Sequence, residues 1–307
     1  MTAPLPTVAL IAGPTASGKS ALALALAEKH RGTVINADSM QVYADLRILT
    51  ARPTREEETR VPHRLFGHVD GADSYSAARW AIEAHAAITE AHAGGRLPIL
   101  VGGTGLYLRT LIDGIAPVPE IDPAIRSAVR ALDVADAHAQ LAGLDPEGAA
   151  RLGPADTSRV ARALEVVRST GQPLAHWHRQ RVGGIADEIR LVPLILLPDR
   201  DWLGERIDRR FAEMLEAGRD EAEALLARTD IPADAPVLRA IGVPELRALF
   251  AGESDVVQAM AAGALATRQY AKRQYTWFRR QPPQDWDRME ETETNVRLSR
   301  IETKFHL

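Results

Sequence analysis

The sequence predicts an α/β fold: a parallel sheet flanked by helices and interrupted by an all-helical insertion. Three observations lead there. Short apolar runs alternate with alanine- and leucine-rich helical stretches through the first third of the chain. A Pro-rich connector, Ala116-Pro-Val-Pro-Glu-Ile-Asp-Pro123, then opens a stretch that is patterned only as helix up to about Arg181. Strand texture returns at 190–197, as it would if the helical block lay between two strands of one sheet.

Each element follows from its residues. Thr7-Val-Ala-Leu-Ile-Ala12 is a continuous apolar run ending at Gly13, the pattern of a strand covered on both faces. Lys19 to Lys29 carries Ala and Leu at helical spacing. Gly32 breaks that pattern, and Thr33-Val-Ile-Asn-Ala37 reads as the second strand. Leu65-Phe-Gly-His-Val69 is a weaker third candidate. Ser74 to Ala93 reads as a helix, with Ser74 or Ser76 as N-cap and Gly94-Gly95 as its stop. Leu97-Pro-Ile-Leu-Val101 is the next strand and closes on Gly102-Gly103.

In the insertion the clearest helix is Thr157 to Thr170, with Val160, Ala163, Leu164 and Val167 on one face and Gly171 as the stop. Arg190-Leu-Val-Pro-Leu-Ile-Leu-Leu197 is the returning strand, where Pro193 points to an edge or irregular position. The remainder is helical, from Trp202 to Arg228 and from Ser254 to about Arg280. The expected division is a core at 1–117, a helical insertion at 118–190 and the second part of the core at 191–307.

Composition bounds the function. With 307 residues, 46% hydrophobic and 25% charged, the chain suits one large α/β domain and a smaller partner. A formal charge of -4 excludes a globally basic nucleic-acid binder, so any RNA contact must come from local patches. The absence of cysteine excludes disulfides, thiolate catalysis and Cys-based zinc sites, and fits a reducing compartment. No apolar run is long enough to span a membrane, and the opening Met-Thr-Ala-Pro-Leu-Pro lacks the charged start of a signal peptide. A cytoplasmic location without a membrane partner is the expectation.

Gly13-Pro14-Thr15-Ala16-Ser17-Gly18-Lys19-Ser20 fits the pattern G-x-x-x-x-G-K-[ST] in full. The glycines let backbone N–H groups turn inward onto phosphate oxygens. The following helix adds its positive dipole end, Lys19 a full charge, and Ser20 a hydroxyl for Mg²⁺. The plainer reading is a chance Gly-rich turn, but the flanking strand and helix are the context the motif requires. The sheet is therefore expected to be P-loop NTPase-like.

A P-loop ATPase holds its metal with a carboxylate ending a second buried strand. Here the strand 97–101 ends in Gly102-Gly103-Thr104-Gly105. The carboxylate well placed at a strand end is Asp38, and the carboxyl ends of such strands line the ligand crevice. Asp38 and Thr104 are thus expected to look toward the phosphates. Two roles are open to Asp38 on position alone: capping the next segment with Ser39, or taking a proton from a nucleophile.

The P-loop, Asp38-Ser-Met-Gln-Val-Tyr43, Pro62-His-Arg-Leu65, Val101-Gly-Gly-Thr-Gly-Leu-Tyr107 and Lys272-Arg-Gln-Tyr-Thr-Trp277 together resemble the bacterial tRNA dimethylallyltransferase family, the IPP transferases. The likeness runs from about Val8 to Arg280. It implies transfer of a dimethylallyl group from dimethylallyl diphosphate to the exocyclic amine of the adenosine 3′ of the anticodon. The P-loop would grip the donor's diphosphate with Mg²⁺ on Ser20. Asp38 matches the general base, Thr104 a threonine near the breaking bond, and Arg210 an arginine on the diphosphate, one helical turn from Arg206.

The resemblance also implies contacts to the tRNA anticodon stem-loop. They fall on Asp38, Ser39, Met40, Gln41 and Thr104 at the crevice. Others are Arg126 and Ser158, Arg159, Val160, Ala161 and Arg162 in the insertion, then Arg239, Gly242, Lys272, Arg273, Gln274, Trp277 and Arg279. Read without the family, Arg159 and Arg162 are ordinary solvated charges, and Trp277 and Phe278 are core. The basic stripe of Arg268, Lys272 and Arg279, with Arg273 and Arg280 beside it, contains no acid and suits phosphates. A monomer is expected. Two departures stand out: Leu49 occupies a position where family members carry Gly, and Val243-Pro244 follows Gly242 where they commonly have Tyr-Arg.

His176-Trp-His178 has metal-like spacing and reads as background. The rival readings are a P-loop nucleotide or metabolite kinase, a transferase that prenylates free adenine nucleotides, and a non-catalytic RNA-binding module.

Overall fold

A computed structural model describes residues 4–305. Met1, Thr2 and Ala3, on which the reading of the N-terminal segment partly falls, lie outside the described residues, as do the last two. The sheet has six strands in the order β3-β2-β4-β1-β5-β6. These are β1 Thr7–Ala12, β2 Gly32–Asn36, β3 His63–Arg64, β4 Leu97–Gly102, β5 Arg190–Leu196 and β6 Asp287–Met289. Every neighbouring pair is parallel.

β1 is central because its residues Val8 to Ala12 carry no polar side chain, and all are fully buried. The helix Lys19–Lys29 lays Leu22, Leu26 and Ala27 on one face of the sheet, against Ile11, Ile99 and Leu194. Burying that aliphatic layer is the main driving force for assembling this face. The helix Ala77–Ala93 packs Trp80, Ala84 and Ile88 inward and begins at Ser76, whose hydroxyl accepts from the Arg79 N–H.

The α/β class and the parallel sheet are as the sequence predicts, but three local expectations need correction. The third strand is His63–Arg64, not 65–69: Leu65 (φ 63°) and Gly67 (φ 56°) are left-handed, which breaks any extended path, and only Val69 forms a bridge, to Tyr43. β5 is internal rather than an edge. Pro193 is tolerated because β6 begins only opposite Leu194, so the outer side of β5 beside Pro193 needs no donor. The stretch 202–228 is two helices, Arg200–Ala217 and Arg219–Ala227, parted at Gly218, where a Cβ would lie 2.6 Å from the Leu49 side chain.

Two compact units result. One joins the chain up to Leu111 with the chain from Ile185 onward, and the other is Ile112–Gly184. The second is built from helices, the longest being Thr157–Thr170, capped by Asp156 and ended by left-handed Gly171. Its core gathers Val129, Leu141, Val160, Leu164 and Val167. Ile115 and Val182 close it with an antiparallel bridge. Among the described residues no helix is long and apolar enough to cross a membrane.

Candidate active site

The phosphate loop leaves β1 at Gly13 and enters its helix at Lys19. Thr15, Ala16, Gly18, Lys19 and Ser20 line a polar cavity, joined by Asp38, Gln41, Arg206 and Arg210 among others. Gly13, Pro14 and Ser17 are buried within the loop. Lys19 folds back so that its ammonium donates to the Pro14 carbonyl at 2.6 Å. Burial lowers the Lys19 pKa to about 8, with the Asp38 charge opposing the shift and Arg210 adding to it. Burial also lowers that of Arg210, with Arg206 adding like charge. Lys19, Arg206 and Arg210, each half-buried, outnumber the carboxylates Asp38 and Glu57 around this cavity, which suits it to a further anion.

A buried glutamine holds the loop. Gln274, on the long helix Val256–Arg280, accepts from the Thr15 N–H at 2.8 Å and donates to the Gly103 carbonyl at 2.9 Å. A Cβ on Gly103 would lie 2.1 Å from that amide, so a glycine is needed there. Gln274, expected on RNA, is thus spent inside the protein. Trp277, one turn on, covers Gly105, whose added Cβ would meet its ring at 2.4 Å, and Phe278 is fully buried. Phe278 is core, as its plain reading held, whereas Trp277 is half-buried over Gly105.

Asp38 is presented by a turn that Asn36 shapes. The Asn36 side chain accepts from the Asp38 N–H at 2.8 Å and donates to the carbonyls of Asp38 and Leu65. The carbonyl of Asn36 in turn accepts from buried Trp80, which stacks on Tyr107. Asp38 Oδ1 accepts from the Met40 N–H at 3.0 Å, so it does cap its own turn. Asp38 nevertheless lines the polar cavity and also a second, largely apolar one of about 250 Å³. The second is walled by Leu49, Ile207, Phe211 and Met214, with Ser39, Met40, Arg239, Tyr270 and Arg273. Thr15, Ala16, Asp38, Thr50 and Arg210 are common to both.

Thr104 sits one residue back from the cavity walls, beside Ser39 and Tyr270, both of which line the apolar cavity. Its hydroxyl accepts from the Ser39 N–H at 3.0 Å and donates to Ser39 Oγ at 3.3 Å, because β2 and β4 end side by side. Sequence reasoning missed Tyr270, beside Thr104 and the Asp38 charge, whose phenol is pushed up by burial first and by Asp38 second. The signal was available: Tyr270, Arg273, Gln274 and Trp277 recur at helical spacing.

The remaining candidates divide plainly. Lys272 and Arg279 are exposed, whereas Arg268 pairs with Asp208. Gly242 is buried, with its N–H on Glu245. In the unit 112–184, Arg126, Ser158, Arg159 and Arg162 are exposed, Ala161 is half-buried, and Val160 is fully buried in the core, where its helix face must point. Arg159 meets Asp156 at 3.3 Å, and Arg130 and Arg162 flank buried Glu165. Among the described residues, no group of three or more His, Cys, Asp or Glu could hold a metal.

A parallel sheet with a phosphate loop after its central strand, opening onto adjoining polar and apolar chambers, defines a P-loop protein. The family model described as IPP transferase matches residues 41–281, and that described as isopentenyl transferase matches residues 6–67. The tRNA dimethylallyltransferase of Sphingopyxis alaskensis is 67% identical over 92% of this chain and 92% of its own. That of Erythrobacter litoralis is 60% identical over 93% and 92%. Among solved structures, a tRNA isopentenylpyrophosphate transferase from Bacillus halodurans superposes with a TM-score of 0.70 at 35% identity, covering 98% of this chain and 95% of that one. A eukaryotic dimethylallyltransferase described as acting on tRNA gives 0.76 at 31% identity, covering 89% and 70%. The chain belongs to the IPP transferase family.

Proposed function

We propose that the chain transfers a dimethylallyl group from dimethylallyl diphosphate to the exocyclic amine of the adenosine 3′ of the anticodon in tRNA, releasing diphosphate. One observation carries this reading: Asp38 belongs to the walls of both a cation-lined cavity and an apolar one. The diphosphate lies on the loop N–H groups, Lys19, Arg206 and Arg210. The five-carbon chain extends along Leu49, Phe211 and Met214.

The C–O bond to diphosphate breaks as the N–C bond to the amine forms, and the amine's proton passes to the Asp38 carboxylate. An adenine amine is a weak nucleophile, its lone pair drawn into the ring, so a base accepting its N–H raises its reactivity as the bond forms. The charge that builds on the leaving diphosphate falls on preorganised donors. Thr104 acts one bond back, holding Ser39 beside Asp38, and Gln274 keeps the phosphate loop in register.

Ser20 and Asp38 both line the polar cavity, a hard-oxygen set too sparse to cage a cation alone. This fits Mg²⁺ held by Ser20 together with substrate phosphate oxygens, where it would neutralise the leaving group. The adenosine must leave the anticodon stack to reach Asp38. Ser39, Met40, Arg239 and Arg273 at the apolar cavity would receive it. Lys272 and Arg279, and in the helical unit Arg126, Ser158, Arg159 and Arg162, would hold RNA phosphates.

Incubating the protein with labelled dimethylallyl diphosphate, Mg²⁺ and tRNA tests the reading. Label is expected in tRNA without ATP consumption. ATP turnover with no label transferred would favour a kinase instead.

A further inference from the structure

We propose that Arg297, on the helix Thr294–Glu302, is a positioning residue for the phosphate loop: it fixes the Ser17–Gly18 peptide so that the Gly18 N–H faces a bound diphosphate, and it backs that anion with a buried positive charge. The inference rests on the diphosphate reading above. It concerns a helix beyond the family-matched region, which ends at residue 281.

The geometry is specific. Arg297 is 1% exposed, among the largest fully buried side chains of the protein. Its Nη1 donates to the Ser17 carbonyl at 2.7 Å, and its Nε donates to the Glu291 carbonyl, which anchors the guanidinium to its own segment. In a planar trans peptide the carbonyl and the following N–H point in opposite directions. A donor holding the Ser17 oxygen from beneath therefore aims the Gly18 N–H away from Arg297, to the side where Gly18 lines the polar cavity. Gly18 is left-handed (φ 92°), and a Cβ there would lie 2.6 Å from Nη1, so the guanidinium and the loop backbone are in direct contact.

The charge also matters. Nη2 of Arg297 meets no acceptor among the described residues. Burial lowers the Arg297 pKa first, Glu291 and Glu293 oppose this, and Arg206 adds like charge. A buried cation whose counter-charges only partly offset its desolvation is costly, and an anion on the other face of the same peptide offsets that cost further. Arg206 stands in the polar cavity, so Arg297 extends the cation set of Lys19, Arg206 and Arg210 to the underside of the loop.

A purely structural strap would make the same hydrogen bonds, so the test reads ligand affinity apart from folding. Titration calorimetry with inorganic diphosphate and Mg²⁺ compares the full chain with Arg297→Lys and Arg297→Met, each also melted without ligand. Arg297→Met is expected to weaken diphosphate binding roughly tenfold and to raise KM for dimethylallyl diphosphate by a similar factor, with tRNA affinity unchanged. Arg297→Lys keeps the charge but cannot span both carbonyls, and is expected to weaken binding about threefold. It serves as the probe if Arg297→Met does not fold. Variants that melt earlier yet bind diphosphate as tightly as the parent would overturn the inference while leaving the donor reading intact. Failure of the parent chain itself to bind diphosphate would overturn both.

Discussion

The phosphate loop and the helical unit 112–184 both offer cations to an anionic substrate, but they hold them in opposite ways. In the loop region Lys19 and Arg210 are drawn down by burial, and the backbone is tied from beside by Gln274 and from beneath by Arg297. In the helical unit Arg159 and Arg162 are 77% and 45% exposed, and each is shared with a carboxylate, Asp156 at the helix cap and Glu165 within the helix. The first arrangement costs folding energy and yields donors that need no rearrangement when charge develops. The second costs little and leaves long side chains free to follow an RNA backbone. Donor chemistry and RNA grip are thus built to different tolerances.

If that contrast holds, loop variants lose rate and helical-unit variants lose only affinity. Lys19→Met should reduce transfer by roughly a hundred- to a thousandfold, read from steady-state kinetics. Protonation adds a sharper signature. With its pKa lowered to about 8, Lys19 loses its charge in the free protein as pH rises through that value, whereas a bound diphosphate favours the charged form. Diphosphate affinity should therefore fall above about pH 8, with proton uptake on binding visible in buffers of different ionisation enthalpy. Lys19→Met should abolish both effects.

Gln274→Leu would strand the Thr15 N–H and the Gly103 carbonyl. Such a loss costs about 1–3 kcal/mol for each buried group left unpaired, and with two groups stranded chemical denaturation should show a fall of about 2–6 kcal/mol. The smallest effect is expected at Arg162→Ala, made with Arg126→Ala. Affinity for tRNA should weaken severalfold, and the slope of log affinity against log salt should flatten by about one to two, with single-turnover transfer at saturating tRNA unchanged. A rate loss there, or a pure affinity loss at Lys19, would break the comparison.

Much of this was legible in the residues. β1, the helix Lys19–Lys29 and the helix Thr157–Thr170 follow their patterns to the residue, because burial on both sheet faces and one apolar helix stripe leave unambiguous signals. The P-loop and Asp38 were legible because their spacing carries the chemistry. Short edge elements were not. β3 and β6 span two and three residues, too few for any period to emerge. The strand reading at Leu65–Val69 failed because Leu65 takes a left-handed conformation that its side chain does not advertise. Long-range ties were hidden as well. The bond from Gln274 to Thr15 joins residues 259 apart and the bond from Arg297 to Ser17 joins residues 280 apart, and a local pattern reports neither. Thr104 shows the same limit: no local pattern reports that a hydroxyl at this strand end meets both Ser39 and Tyr270.

The account turns on Asp38 as the group that receives the proton from the attacking amine. Single-turnover transfer from labelled dimethylallyl diphosphate, with tRNA and diphosphate affinities measured on the same preparation, tests it in Asp38→Asn, which keeps the size and the acceptor for Met40. The rate constant is predicted to drop by roughly a hundredfold or more while both affinities stay near those of the parent chain. Transfer at the parent rate by Asp38→Asn would contradict the account.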